Sequence, residues 1–493
     1  MPHRLIFILF VCLFIPCVIF AQEGEGGGKR SIKPIFDQAT RYYSQGKFEQ
    51  AIAIYNEILK IKKDNFAVYD ARAAAYTRLG KYKEALADYK KALQHSTDHA
   101  YTEKYYFNCA NIYYLAGNYQ RAVKGFSRAI KENAKFTTAY LNLGMSYDGL
   151  RKYPLAQKAY EKVIALDPKN VAAHLRLGRI HHTSNELEPA LKYYAKVIQL
   201  NPKEKEVYLY KADIYIQQNN LEATLPEYDA YLKIAPNEVK VWMMRASAKT
   251  GLSRYEEAIA DYSQVIKLDA KNRPAFLNRA KLYKQLGKLE EAIKDYSSAI
   301  KLYAGDVVPY MERGILYRMT SKPNEAVADF TKAINLENAM ASAYYQRAMA
   351  EKTIGNLQNA LQDFDRAISL DGKVADFYNN RGFVKIQLNK FAEAVKDFDK
   401  AIELDKNFAY AYNNRGLAKL RLQKYTEALA DCKKSLELEG KNAAAYNNLG
   451  LIYQEMKNNS EAEKAFNKAI ELAPNHAEYA QNLANLKQSL KDK

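Results

Sequence analysis

The chain has 493 residues, 26% of them charged, and 74 Lys and Arg against 56 Asp and Glu give it a formal net charge of +18. That length would ordinarily imply several globular domains with separate cores, but a repeated pattern along most of the chain removes that expectation. Of four cysteines, two stand in the first 17 residues and the other two, Cys109 and Cys432, are far apart in the sequence, so a disulfide framework is not expected.

In chain order, the first element is a short basic start, Met1 to Arg4, followed by an unbroken apolar run from Leu5 to Phe20. A small residue, Ala21, and the polar pair Gln22 and Glu23 close the run, which predicts a secretory signal peptide over residues 1–21. An uncleaved anchor is the alternative, although the run rises only about 24 Å as a helix, against roughly 30 Å of hydrocarbon core. Either way the rest of the chain is expected to be exported, into a periplasm, to an outer envelope or out of the cell. Membrane contact is expected only through that segment if it stays uncleaved. Residues 22–31, with Gly24, Gly26, Gly27 and Gly28, read as a flexible tether. Past the signal segment only Cys109 and Cys432 remain, at helix-packing positions, and they read as small buried hydrophobes.

From Ile32 to His476 the chain divides into thirteen blocks of 34 residues, with one short insertion around Ala100 to Thr102. Position 8 of a block is always Ala or Gly, as at Ala39, Gly144 and Gly450, and position 20 is Ala in every block but one, where Thr224 stands. Position 24 is Tyr or Phe except at Cys432. Apolar residues recur at spacings of three, four and seven on either side of a turn near position 15, which predicts two helices per block. Gly46, Gly80, Gly117, Gly287 and Gly355 supply that turn, and Pro168, Pro202, Pro236 and Pro474 stop the second helix. Small residues at positions 8 and 20 let the helix axes approach, and the aromatic at position 24 fills the space beside them.

These residues resemble the tetratricopeptide repeat family. The block Tyr140, Leu143, Gly144, Tyr147, Ala156, Tyr160, Ile164, Leu166, Pro168 is a clean instance. The resemblance implies an all-α fold, a right-handed superhelical solenoid of helix-turn-helix units. Repeats one to six occupy residues 32–238, repeats seven to thirteen occupy 239–476, and residues 477–493 form a capping helix with Tyr479, Leu483, Leu486 and Leu490 on its apolar side. The division near Glu238 rests on the sixth block, which carries Thr224, Tyr231 and an interior Pro226 that tends to kink a helix.

Comparing the blocks with one another exposes a charge pair. Position 7 is Arg in seven repeats, from Arg72 to Arg415, and the same seven carry Asp at position 23, from Asp88 to Asp431. Repeat six substitutes Lys211 and Glu227, while Leu143, Leu177 and Leu449 face Ala159, Tyr193 and Ala465 with no acid. Joint variation of this kind predicts contact between the two helices of a repeat.

By resemblance, positions 2, 5, 6, 9, 12 and 13 of each first helix line a concave groove. Position 6 is Asn at Asn108, Asn142, Asn278, Asn380, Asn414 and Asn448, and the last three repeats double it with Asn379, Asn413 and Asn447. An amide offers both donor and acceptor, so such a ladder suits the backbone of an extended peptide. Arg176, Arg179, His182, Lys281, Lys284, Arg318 and Lys352 make the middle of the groove basic and favour an acidic partner there. The carboxylate clamp of chaperone-binding members is not matched, because no repeat has Lys or Arg at position 5 and position 9 is Asn only at Asn111.

His174, His181 and His182 read as packing residues, with metal binding the lesser alternative. No Gly-rich phosphate loop, nucleophile elbow or Cys/His ligand set is present, so no cofactor, metal or catalytic activity is expected. No base-reading module is present, and nucleic acid is not expected as a partner. The predicted function is a scaffold binding peptide segments in its groove and supporting a cell-envelope or secretion complex. The alternative is a charge-driven binder of anionic envelope polymer or membrane surface through position 26, which is Lys or Arg in nine repeats, among them Lys91, Lys332, Lys400, Lys434 and Lys468.

Overall fold

A computed structural model of the chain describes residues 32–97 and 101–491. The signal segment and the tether of residues 22–31 lie outside the described residues. Those described form 27 α-helices in chain order, from α1 (Lys33–Ser44) to α27 (Ala477–Lys491), with no strand among them. Odd-numbered helices are the first helices of repeats and even-numbered ones the second, so the predicted register holds. No described helix is long and apolar enough to cross a membrane.

Each hairpin closes where the sequence places its small residues. Ala51, Ala85, Ala122 and Ala156 are fully buried, and so are the aromatics that follow them, Tyr160 and Phe126 among others. The reason position 8 is often Gly is visible at Gly144: a Cβ there would stand 2.5 Å from the Tyr160 ring. Deleting a methyl lets the ring lie flat on the first helix. The core is accordingly a chain of small clusters, each shared by neighbouring hairpins, such as Ala246, Ala258, Tyr262, Val265, Ala275 and Leu282.

Position 15 takes the left-handed conformation in all thirteen repeats. Five are the expected glycines, with φ of 72–85°, and eight are Arg151, Asn185, Asn219, Ser253, Ser321, Asn389, Gln423 and Lys457 at 55–60°. The turn geometry is thus set by the hairpin as a whole and imposed on non-Gly residues against an intrinsic cost of about 1–2 kcal/mol.

The described residues fall into two compact units, one ending at Pro236 and the other beginning at Asn237. In the first, α1 touches α3 (Phe66–Arg78) and α5 (Tyr101–Leu115) touches α7 (Thr137–Gly149). In the second the same holds for α17 (Val307–Met319) with α19 (Ala341–Thr353), and for α21 (Ala375–Gln387) with α23 (Ala409–Arg421). Second helices lie chiefly against the first helices on either side. First helices therefore form the inner side of each unit.

Three local features refine the sequence reading. The insertion extends α5, whose Tyr101 hydroxyl donates to Asp70 at 2.7 Å while Lys104 Nζ stands 3.2 Å from the same carboxylate. Pro226 sits inside α12, which runs unbroken from Leu221 to Ile234. Helix α27 buries Tyr479 and Leu486 but leaves Leu490 41% exposed.

Candidate functional site

Two polar systems run through the described repeats, one between the two helices of a hairpin and one on the inner side. The first is the predicted ion pair. In all seven Arg repeats the guanidinium donates through Nε and Nη2 to both oxygens of the position-23 Asp, at 2.6 and 2.7 Å for Arg72 and Asp88 and at 2.9 and 2.6 Å for Arg415 and Asp431. Lys211 reaches Glu227 in repeat six. Where Leu replaces Arg, Leu143, Leu177 and Leu449 are buried like any core residue. The fork makes two further contacts that comparison of the blocks does not show. Nη1 bridges to position 25 of the preceding repeat, from Arg313 to Ser297 at 2.7 Å and from Arg415 to Asp399 at 2.7 Å. The guanidinium also lies over the position-4 aromatic, 4.5 Å from the Trp242 ring for Arg245 and 5.3 Å from Tyr412 for Arg415. Burial lowers the basicity of Arg72 and Arg313, but the bonds to Asp88 and Asp329 outweigh it and hold both above the ordinary arginine value. These groups tie repeats together.

The second system lies on the inner side. In the last repeats each position-6 Asn donates across to the position-5 Asn of the preceding repeat: Asn414 to Asn379 at 3.0 Å and Asn448 to Asn413 at 2.9 Å, with Asn482 continuing to Asn447 at 2.9 Å. Asn379, Asn413, Asn447 and Asn448 are buried, and Asn380 and Asn414 are half-buried. The doubled ladder is therefore a chain of inter-repeat bonds: Asn380 Nδ2 donates to the Tyr345 hydroxyl at 3.3 Å and the Asp376 carbonyl at 3.0 Å and keeps only acceptor capacity on Oδ1, while Asn414 keeps one amide hydrogen beyond its bond to Asn379. In repeats eight to eleven a different link takes over, from position 12 to position 6 of the next repeat. Lys284 meets Glu312 at 2.7 Å, Arg318 Nη1 meets Gln346 at 2.5 Å, and Lys352 Nζ meets Asn380 at 3.3 Å. Asn278 is half-buried and Lys281 exposed on the same side.

In the first unit the predicted residues gather between repeats three and six. Asn142 Nδ2 donates to Asn111 Oδ1 at 2.8 Å, both buried, and Asn108 beside them is 3% exposed. Asp148 accepts from the Tyr160 hydroxyl at 2.7 Å and stands 3.8 Å from Arg176. Burial raises its carboxyl above the ordinary range, with Tyr160, Arg176 and Arg179 opposing. Arg179 is half-buried, and His182 lies between Tyr194, Gln217 at 3.0 Å and Asp213 at 3.3 Å.

Comparison with known proteins agrees with this geometry. Models described as tetratricopeptide repeat match residues 65–131 and 407–475, 141–204, 185–248, 274–306 and 341–374, and one described as TPR repeat matches 39–80, 246–287 and 384–423. The chain belongs to the tetratricopeptide repeat family. Among curated relatives, human tetratricopeptide repeat protein 6 is 30% identical over 21% of this chain and 19% of its own length. Hsp70-Hsp90 organizing protein 3 of Arabidopsis thaliana is 26% identical over 20% of this chain and 17% of its own. The chain thus spans less than a fifth of the length of these relatives. A crystal structure of MamA is 29% identical, covering 33% of this chain and 96% of that one, with a TM-score of 0.32.

The remaining unusual side chains are explained by packing of the tetratricopeptide repeats. His174 Nε2 is 3.0 Å from the Pro168 carbonyl, and His181 pairs with Glu186 and stacks on Tyr193 at 5.3 Å. Burial pushes the Cys109 and Cys432 thiols up to about 12. Three of the position-26 cations pair along their own helices, Lys400 with Glu403, Lys434 with Glu437 and Lys468 with Glu471, all at 2.6–2.7 Å, while Lys91, Arg128 and Arg366 lie over the rings of Tyr69, Tyr106 and Tyr344 on first helices. Gln346, Tyr345 and Phe383 on the inner side escape the sequence reading; the 28-residue offset from position 12 to position 6 is the signal that would find Gln346, and Tyr345 and Phe383 stand at positions 5 and 9.

Proposed function

We propose that this chain is a non-enzymatic protein-interaction scaffold, holding extended peptide segments against the inner-facing first helices, and that it supports assembly of a cell-envelope or secretion complex. The observation that carries the reading is the run of half-buried amides and cations at Gln346, Asn380, Asn414, Arg318 and Lys352, all on one side of the second unit with hydrogen-bonding capacity left over. Amides and cations that recur once per repeat can donate to and accept from the carbonyls and amides of an extended backbone. The apolar run from Leu5 to Phe20 supports export. The relation to Hsp70-Hsp90 organizing proteins supports protein partners in general, while the lack of basic residues at position 5 argues against a chaperone tail.

The test is a pull-down from envelope extract using the full chain and two variants. Replacing Asn380, Asn414 and Gln346 by Ala is expected to abolish capture of its partner, and neutralising Lys332, Lys400, Lys434 and Lys468 to leave it intact. The opposite pattern would favour a polyanion-binding outer face and sink the proposal.

A further inference from the structure

Arg318 and Lys352 occupy position 12 of consecutive repeats on α17 and α19, and they differ from the cation before them in one respect. Lys284 is neutralised by Glu312, whereas the polar residue one repeat onward from Arg318 is Gln346 and from Lys352 is Asn380. Neither cation has a carboxylate within ion-pair distance among the described residues. The acids nearby are engaged elsewhere or stand off: Glu312 holds Lys284, Glu351 is buried and accepts from Asn356 at 2.7 Å, and exposed Asp376 faces Tyr345 without pairing with either cation. Both cations are half-buried, and Lys352 lies 5.5 Å from the Phe383 ring centre. Tyr345 stacks on Phe377 at 4.8 Å, and its hydroxyl oxygen accepts from Asn380 Nδ2 at 3.3 Å.

Two like charges, partly desolvated and close enough to disfavour each other, destabilise a fold that has no internal need of them. Burial lowers the basicity of Arg318, and burial together with the Arg318 charge lowers that of Lys352. A bound anion would reverse both effects. The fork of Arg318 uses Nη1 on Gln346 and leaves Nε and Nη2 for a planar two-oxygen group, while Lys352 keeps ammonium protons beyond its long bond to Asn380.

We propose that Arg318 and Lys352, framed by Tyr345 and Phe383, form a receiving site for a carboxylate side chain of an acidic peptide segment. This rests on the peptide-scaffold reading above and names the chemistry of the segment. It differs from a polyanion patch because the cations are recessed, walled by aromatic rings and tied to neutral amides, which suits one flat carboxylate better than a diffuse charged surface.

The test uses the full chain and an arrayed library of short peptides made in three matched sets, with paired Glu, Gln or phosphoserine at the centre of otherwise identical backgrounds. Glu peptides are expected to bind about tenfold or more tighter than their Gln partners, with the preference falling as salt rises. Arg318→Gln with Lys352→Gln should erase the preference while keeping the affinity common to both sets, and Arg318→Lys with Lys352→Arg should keep it. Unliganded Lys352→Met should melt at the same temperature or higher, which separates a ligand site from a structural one. Equal binding of Glu and Gln peptides, or a lower melting temperature for Lys352→Met, overturns this site and leaves the scaffold reading standing. Preference for phosphoserine over Glu overturns the carboxylate assignment. Failure of every peptide to bind overturns the scaffold reading itself.

Discussion

Arg313 grips Asp329 with two parallel bonds of 2.8 and 2.7 Å, and its remaining nitrogen reaches Ser297 of the preceding repeat at 2.7 Å. One side chain therefore joins three helices. Because Asp329 is 4% exposed, Arg313→Leu strands a buried carboxylate and is expected to cost about 3 kcal/mol or more. The double variant Arg313→Leu, Asp329→Ala recreates the pair that repeats four and thirteen carry naturally and should cost less than either single change. Hydrogen exchange at α17 and its neighbours is the suitable readout, since a repeat array opens locally.

Two glycines should fail for different reasons when changed. Gly80 has φ +72°, and a Cβ there would meet nothing within 4 Å, so Gly80→Ala loses about 1 kcal/mol through backbone strain alone. Gly144 has ordinary helical backbone but would press a Cβ onto Tyr160 at 2.5 Å, an overpacking cost of about 1–3 kcal/mol. Asn at each position separates them: Gly80→Asn recovers much of the loss because Asn tolerates the left-handed region, whereas Gly144→Asn is worse than Gly144→Ala. Urea midpoints of the four variants check this ordering.

Asn448→Ala leaves the buried Asn413 carbonyl oxygen without its donor, and a stranded polar group of that kind costs about 1–3 kcal/mol. Asn278→Ala, at a half-buried position outside the doubled ladder, should change stability by less than about 0.5 kcal/mol. Near-equal losses would show that the ladder contributes nothing beyond its neighbours.

Cys109 and Cys432 should resist alkylation by iodoacetamide in the folded chain near pH 8 and react fully once it is denatured. Burial is the main cause of the raised values, opposed at Cys109 by a bond to Tyr105. A thiol whose folded value lies above its unfolded one, about 8.5, binds protons more tightly when folded. Its contribution to stability is complete below that unfolded value and is lost as pH rises toward about 12. Thermal melts from pH 8 to 10.5 should show the decline, and Cys432→Ala should shift its onset upward.

What the sequence reveals of the fold and the site depends on the kind of signal each feature leaves. The hairpins and the Arg to Asp pairs are legible because thirteen copies in one chain act as their own comparison: Leu143 beside Ala159 is informative only against Arg313 beside Asp329. The third contact, to Ser297 or Asp399, is not, because in the blocks that precede an Arg repeat position 25 varies among Asn, Asp, Ser and Thr with no shared shape. In sequence the Asn ladder reads as a row of free amides, whereas Asn414 and Asn379 bond to each other across 35 residues. A single-helix view of which side chains share a face cannot show that neighbouring helices come close enough for one row to satisfy the next. The same blindness hides the difference between Lys284, which meets the carboxylate of Glu312, and Arg318, which meets the neutral amide of Gln346.

A peptide lying along the first helices of the second unit is the central claim, and photo-crosslinking decides it. The photoreactive residue p-benzoylphenylalanine is placed singly at Ile315, Met349, Lys332 and Lys400, and each chain is irradiated with a peptide it binds. Crosslinks at Ile315 and Met349, with none at Lys332 or Lys400, are the expected result. Crosslinks confined to Lys332 and Lys400, on the second helices, would contradict it.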